Sequence, residues 1–383
     1  MTRITNIAFH GVAVTPRTNW SFLRVADEDG RVGWGECTLA NQEPLLEREA
    51  RRLARTAVGQ DSRARNRLAR LLPHAPGGLV AHTVLSAFEQ GLSDLAAQRA
   101  GEPVHAFLGG ALREAIPLYA NINRGAERTP AGFAAAARRA LDAGFEAVKL
   151  APFDPLVWEE NNTAAARAAY AEALARIGAV RDAIGPDRAL MVDAHWRFSP
   201  GGAAALIRDL DDLRLHWLEC PVAEANHAEI RRLRDVANTR GVRLAGAETL
   251  AGLAAYRPLA EAGLYDVWMP DIKHAGGHAE ILRIGALALA CGVEMAPHNP
   301  TGPVAHAHSL HLCAAIPNLW RLEVQFGETE RFFTLAPGHD LRFADGHGTL
   351  PDAPGLGVAL DEGWAAANPW RPHDTPWLDP RLG

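Results

Sequence analysis

Lysine is almost missing from this chain: of 39 basic residues only Lys149 and Lys273 are lysines. The arginines that make up the rest are scattered along helical stretches, which leaves no basic block for nucleic acid to bind. Cysteine is sparse too. Cys37, Cys220, Cys291 and Cys313 lie far apart without C-x-x-C spacing, so neither a thiolate zinc site nor a disulfide framework is indicated, and a reducing cytoplasm is the expected setting. No run approaches the ~18 apolar residues of a spanning helix, and the start, Met1-Thr2-Arg3-Ile4-Thr5, lacks the apolar core of a signal peptide. No membrane partner is expected. Also absent is a G-x-G-x-x-G turn after an early strand, which a doubly wound dinucleotide-binding sheet would want.

What is present is ordinary in bulk: 383 residues, 48% hydrophobic and 22% charged, with a formal charge of -6. That length exceeds what one hydrophobic core usually supports, so two domains, or one barrel with additions, are expected. Residues 1 to about 50 read as strands, with Phe22 to Val25 and Val32 to Glu36 flanking the turn Asp27-Glu28-Asp29-Gly30. From 45 to about 100 the period becomes helical, most regularly over Ala81 to Arg99, where Val84, Leu85, Phe88, Leu92 and Leu95 share one face. Between Ile116 and Gln325, short apolar strands alternate with alanine-rich helices. Strands are expected near Leu118 to Ile122, Ala147 to Leu150, Leu190 to Ala194, Trp217 to Cys220, Leu244 to Ala247, Val267 to Met269, Val293 to Ala296 and Leu322 to Val324. Eight strands and seven helices predict a parallel α/β barrel. A small excursion is expected at Trp158 to Asn162. The last 58 residues abandon the alternation, so an eighth barrel helix is missing and the tail is expected to pack on the N-terminal unit.

Six of these runs end in an acid or a histidine. Asp193 and His195 stand two apart after Leu190-Met191-Val192, a spacing that in a strand aims both to one face. Glu219, Glu248, Asp271, His298 and Glu323 end the later runs. An acid after a strand is often only a helix N-cap. Asp193, Glu219 and Glu248, however, fall in consecutive βα repeats, and together they make a hard, all-oxygen pocket suited to Mg²⁺ or Mn²⁺ rather than Zn²⁺. Asp271 and His298, on adjacent strands, can form a carboxylate–imidazole pair that fixes the tautomer and strengthens the base, although an isolated histidine is more often a core or capping residue. His195 would face the same site from across the barrel mouth. Lys149 reads as a charge that helps hold an anionic substrate, against the plainer reading of an ion-paired lysine. For Lys273 an ion pair with Asp271 and a further role are equally open, as are capping and substrate binding for Glu323. Asn121, Asn123 and Arg124 read as turn formers or as contacts to hydroxyls.

The order Lys149, Asp193, Glu219, Glu248, Asp271, His298, Glu323 resembles the enolase superfamily, and the His298–Asp271 dyad with a glutamate as third metal ligand resembles its mandelate racemase subgroup. Trp34-Gly35-Glu36, Leu108-Gly109-Gly110, Pro270-Asp271 with Gly276-Gly277, and Pro354-Gly355-Leu356-Gly357 are similar to that family's signatures. The resemblance implies a modified TIM barrel, (β/α)7β, at 115–325, and an α+β capping domain at 1–114 on which the segment 326–383 packs. It implies a cap loop around Thr15 to Trp20 that closes over substrate, and commonly a homo-oligomer. Asp193-Ala194-His195 resembles the galactonate- and mannonate-type acid-sugar dehydratases, in which that histidine is the general acid. Where racemases of the subgroup carry Lys-x-Lys, this chain has Lys149-Leu150-Ala151, which favours dehydration. The expected function is Mg²⁺-dependent dehydration of a sugar acid to a 2-keto-3-deoxy acid, with His298 as base, Asp271 orienting it, His195 as acid, and Lys149 and Glu323 around the substrate carboxylate. Racemisation or epimerisation on the same scaffold, or a non-catalytic metabolite-binding role, are the alternatives.

Overall fold

The computed structural model describes residues 2–69, 78–154, 156 and 163–372; the excursion expected at Trp158 to Asn162 lies outside them. The N-terminal unit is an antiparallel sheet of β1 (Ile4–Thr15), β2 (Thr18–Asp27) and β3 (Val32–Glu36), with helices α1 (Glu43–Ala57) and α2 (Gly78–Ala100). Asp27 builds the β2–β3 turn, its Oδ1 accepting from Asp29 N and Arg31 N at 3.1 Å each. The cap loop expected around Thr15 to Trp20 takes the form of a tight hairpin: Thr15 pairs with Thr18, and Trp20 is buried within β2. The chain reverses over Pro16 and Arg17, where Thr15 Oγ1 accepts from Arg17 N at 3.1 Å.

Helix α2 lies on β3 at backbone contact. A Cβ on Gly35 would stand 1.9 Å from the Ala87 carbonyl oxygen, and one on Gly33 2.1 Å from that of Gly91, so only glycine fits at either position. At this approach the helix's side chains pair the strand's amides: Asp94 Oδ2 accepts from Trp34 N at 3.0 Å and Gln90 Oε1 from Glu36 N at 2.9 Å. The one-faced pattern expected for this helix is therefore incomplete. Thr83, Ser86, Glu89, Gln90, Ser93 and Asp94 are buried as well, against the strand and the barrel.

Strands β4 (Ala115–Asn121), β5 (Ala147–Leu150), β6 (Ala189–Asp193), β7 (Trp217–Glu219), β8 (Arg243–Gly246), β9 (Val267–Trp268), β10 (Glu294–Met295) and β11 (Leu322–Gln325) form one parallel sheet in the order β10-β9-β8-β7-β6-β5-β4-β11. It curls shut where Met295 bridges Leu319 and Trp320 N donates to Met295 O at 2.8 Å. Between successive strands run α3 (Pro130–Asp142), α4 (Ala164–Ile184), α5 (Pro200–Asp209), α6 (His227–Asn238), α7 (Leu253–Ala262), α8 (Gly277–Ala290) and α9 (Pro303–Ala315). Local sequence starts several of them: Thr129, Thr163 and Ser199 each accept from the amide three residues on, and a proline follows two of the three caps. Tyr119, Ala147, Met191, Trp217, Ala245 and Val267, one from each of six neighbouring strands, pack together as a plug in the barrel. The residues two further along share their face, which lifts Asn121, Lys149, Asp193 and Glu219 to the level just above the plug.

After β11 the described chain has a short helix, Arg331–Thr334, and a strand β12 (His347–Thr349) antiparallel to β4. The tail then reaches the N-terminal sheet, where Trp370 N donates to Gly11 O at 3.0 Å and Pro369 bridges Val12. Among the described residues no helix is long and apolar enough to cross a membrane.

Candidate active site

Asp193 and Glu219 are register partners on β6 and β7, which sets their carboxylates side by side by strand pairing alone. Glu248 comes from just beyond β8. One oxygen from each of the three lies within 4.8 Å of the others, and all three residues are buried. The turns that aim them use left-handed backbone at non-glycine residues: φ is 46° at His195, 45° at Cys220 and 76° at Ala247. The strands expected to run to Ala194, Cys220 and Ala247 therefore stop short of those residues. His195 does not share a strand face with Asp193. It sits in the turn past the strand, its N donating to Asp193 Oδ1 at 2.9 Å and its Nε2 lying 2.8 Å from Asp193 Oδ2.

Behind the acids stands Lys149, 1% exposed, with Nζ 2.7 Å from Glu219 Oε1 and 2.9 Å from Glu323 Oε1. Glu323 is fully enclosed: Asn121 Nδ2 donates to Oε1 at 2.7 Å, and Tyr119 Oη and Asn299 N donate to Oε2 at 3.2 and 3.1 Å. Burial disfavours the ammonium, but the two glutamates outweigh it and raise the Lys149 pKa well above the usual lysine value. Burial, followed by the charges of Asp193 and Glu219, pushes Glu248 well above the carboxylate range. Three converging acids with one ammonium between them leave excess negative charge, and a hard divalent cation fits that oxygen set.

On the far side, His298 Nδ1 lies 2.7 Å from Asp271 Oδ2, and its Nε2 lies 3.7 Å from Glu248 Oε2. Burial opposes the charge of Asp271, but Lys273 first, then His274 and His298, hold its pKa well below the usual range. The carboxylate thus stays ionised and acts as an acceptor for the imidazole. A cavity of about 230 Å³ opens over these groups, lined by Lys149, Asp193, His195, Glu248 and His298. Glu219, Asp271 and Glu323 lie behind its wall, each 0% exposed.

Comparison with known proteins agrees with this architecture. Residues 3–109 match the family described as mandelate racemase / muconate lactonizing enzyme, N-terminal domain, and residues 132–364 match enolase C-terminal domain-like. The chain belongs to the mandelate racemase subgroup of the enolase superfamily. A D-galactonate dehydratase family member from Streptomyces bingchenggensis is 32% identical over 97% of this chain and 95% of its own, and a D-gluconate dehydratase from Thermoproteus tenax is 31% identical over 89% and 68%. A solved mandelate racemase/muconate lactonizing enzyme-like protein from Rubrobacter xylanophilus superposes with TM-score 0.86 at 28% identity, over 96% of this chain and 98% of that one.

As in other two-domain sites, the cap of this enolase-superfamily chain reaches the barrel mouth. Arg17, Thr18 and Asn19 from the hairpin, together with Thr38 and Leu39, line the cavity. The resemblance implied a loop around Thr15 to Trp20 over the substrate, and three residues of that span line the cavity; Thr38 and Leu39 carried no such signal in the sequence. The buried polar residues of α2 are a second omission. They hold the loop that carries Asp271: Gln90 Nε2 donates to Ile272 O at 3.1 Å, Gly276 N donates to Ser86 Oγ at 2.9 Å, and Thr83 Oγ1 lies 2.8 Å from His274 Nδ1. Glu36 of the Trp34-Gly35-Glu36 signature does the same for the His298 side. Its Oε1 accepts from Gly302 N at 2.7 Å and its Oε2 from Ala305 N at 2.9 Å, a carboxylate at the N-terminus of α9.

Proposed function

We propose that this protein is a Mg²⁺-dependent dehydratase of a sugar acid, converting an aldonate or related acid to the 2-keto-3-deoxy acid. Asp193, Glu219 and Glu248 would hold the ion, which when bound supplies positive charge to the substrate carboxylate and so lowers the cost of removing the weakly acidic C2 proton. His298, kept in one tautomer by ionised Asp271, takes that proton on Nε2. His195 donates its proton to the 3-hydroxyl as the C3–O bond breaks, and water leaves. The enol that remains gains a proton at C3 as its 2-hydroxyl gives one up, and becomes the ketone. Lys149, which lines the cavity and would meet the substrate carboxylate there, keeps Glu219 and Glu323 compensated.

The reading rests on one observation above all: two imidazoles, one backed by a carboxylate, border the same small cavity as a converging acid set. The named activity of the relatives, D-galactonate and D-gluconate dehydration, supports the substrate class. The test is a library of aldonic and aldaric acids, D-galactonate and D-gluconate among them, incubated with MgCl₂ in D₂O. Semicarbazide detects α-keto product while proton NMR follows C2. Deuterium in recovered substrate without ketone would mean a racemase or epimerase instead. No turnover of any acid would favour a non-catalytic binding protein.

A further inference from the structure

In the chemistry above Lys273 acts only through Asp271, yet it borders the cavity itself with a side chain only 3% exposed. Its Nζ donates to Asp271 Oδ2 at 2.6 Å, the same oxygen that meets His298 Nδ1 at 2.7 Å. The ammonium is thereby held within two hydrogen-bond lengths of the imidazole. Its backbone is fixed as well, Lys273 N donating to Asp271 Oδ1 at 2.7 Å. An ammonium carries three donors, and among the described residues Asp271 is the only acceptor that Nζ meets. A buried cation that is two hydrogen bonds short is costly unless what enters the cavity provides them. Lysine offers a compact point charge rather than the planar fork that matches a carboxylate, so the fitting partner is a single oxygen.

We propose that Lys273 contacts the substrate, its ammonium donating to one hydroxyl of the bound acid on the His298 side of the cavity, and so determines which sugar acids are accepted. This rests on the sugar-acid reading. It differs from a role in which Lys273 merely keeps Asp271 ionised, because only a contact depends on the presence of one particular hydroxyl.

The experiment uses His298→Asn as a non-turnover background and measures, by calorimetry with excess MgCl₂, the Kd of D-gluconate, D-galactonate and their 4-, 5- and 6-deoxy forms. Adding Lys273→Met should weaken the better-binding acid about 10- to 100-fold, the range for a hydrogen bond to a charged group. For one deoxy form, the one lacking the contacted hydroxyl, the loss should fall below about threefold by the same reasoning. Lys273→Arg retains the charge beside Asp271 and guards against misfolding, and it should change the order of preference among the acids. Unchanged Kd values, or an equal loss for every analogue, would overturn the inference. Failure of the unaltered protein to bind or turn over any aldonic or aldaric acid of the library would overturn the sugar-acid reading, and this inference with it.

Discussion

Replacing Lys149 with methionine removes the one ammonium that Glu219 and Glu323 share. Both carboxylates are 0% exposed and Lys149 is 1% exposed, so the pair is compensated almost wholly from within the protein. Breaking a buried pair by deleting one member costs roughly 3–5 kcal/mol, because the remaining charge is left uncompensated. With an unfolding entropy of about 2.1 cal/mol/K per residue, that corresponds to a Tm lower by roughly 4–6 °C for a chain of this length. The loss should depend on metal. Glu219 also belongs to the acid trio, so a divalent cation binding the folded variant restores part of the missing charge and stabilises it by linkage. Differential scanning calorimetry of Lys149→Met in EDTA and in excess MgCl₂ reads both effects: a drop in EDTA that narrows with Mg²⁺. An equal drop under both conditions would refute the idea that Lys149 and the metal act on the same carboxylate. No drop at all would refute the buried-pair energetics.

The two histidines should separate under one assay. His298→Asn is expected to abolish both ketone formation and C2 deuterium exchange, lowering kcat by about 10²- to 10⁴-fold. His195→Asn should stop ketone formation but leave exchange measurable by NMR; full turnover would remove it from the acid role. Gly35→Ala must push a Cβ against the Ala87 carbonyl 1.9 Å away, and a stability loss near the upper end of ~1–3 kcal/mol in urea titration is expected. His306 is fully buried, and burial lowers its pKa from 6.5 to about 3. The folded state then binds fewer protons than the unfolded one across that window, so this contribution is complete above pH 6.5 and is lost as the pH falls towards 3. His306→Gln should flatten the fall of Tm with acid over that range, and an unchanged slope would count against it.

The barrel was legible because each of its strands carries its own signal. An apolar run followed by an acid or histidine recurs at six of the eight strands, and register pairing turns that repeat into proximity, as at Asp193 and Glu219. Depth was not legible. Glu219, Asp271 and Glu323 look like Asp193 and Glu248 in sequence, yet they lie behind the cavity wall, since whether a strand-end acid faces the mouth depends on where the backbone turns. Those turns are the left-handed residues His195, Cys220 and Ala247, none of them glycine, so local composition did not mark them. The same cause moved His195 off the strand face that its spacing suggested. In α2 the apolar period dominated, and the buried polar residues between could be understood only once β3 and the loop from Ile272 to Gly276 were seen against them.

Those polar residues bear on how the site stays in register. The loop carrying Asp271 and Lys273 is tied by its backbone to Gln90 and Ser86, and the start of α9, just after His298, is tied to Glu36. Gln90 and Glu36 are themselves joined, since Gln90 Oε1 accepts from Glu36 N. The dyad's two halves are therefore held by two neighbouring points of one rigid cap element, the β3–α2 pair that Gly33 and Gly35 allow to close to backbone contact. Both halves also follow adjacent barrel strands, with Val267 of β9 paired to Glu294 of β10 and Trp268 to Met295, so strand register brings Asp271 and His298 to their 2.7 Å contact and the cap braces the loops that carry them. In this fold the barrel strands place the dyad and the acid trio alike, and the cap adds hydrogen bonds only on the dyad's side, from Gln90, Ser86 and Glu36.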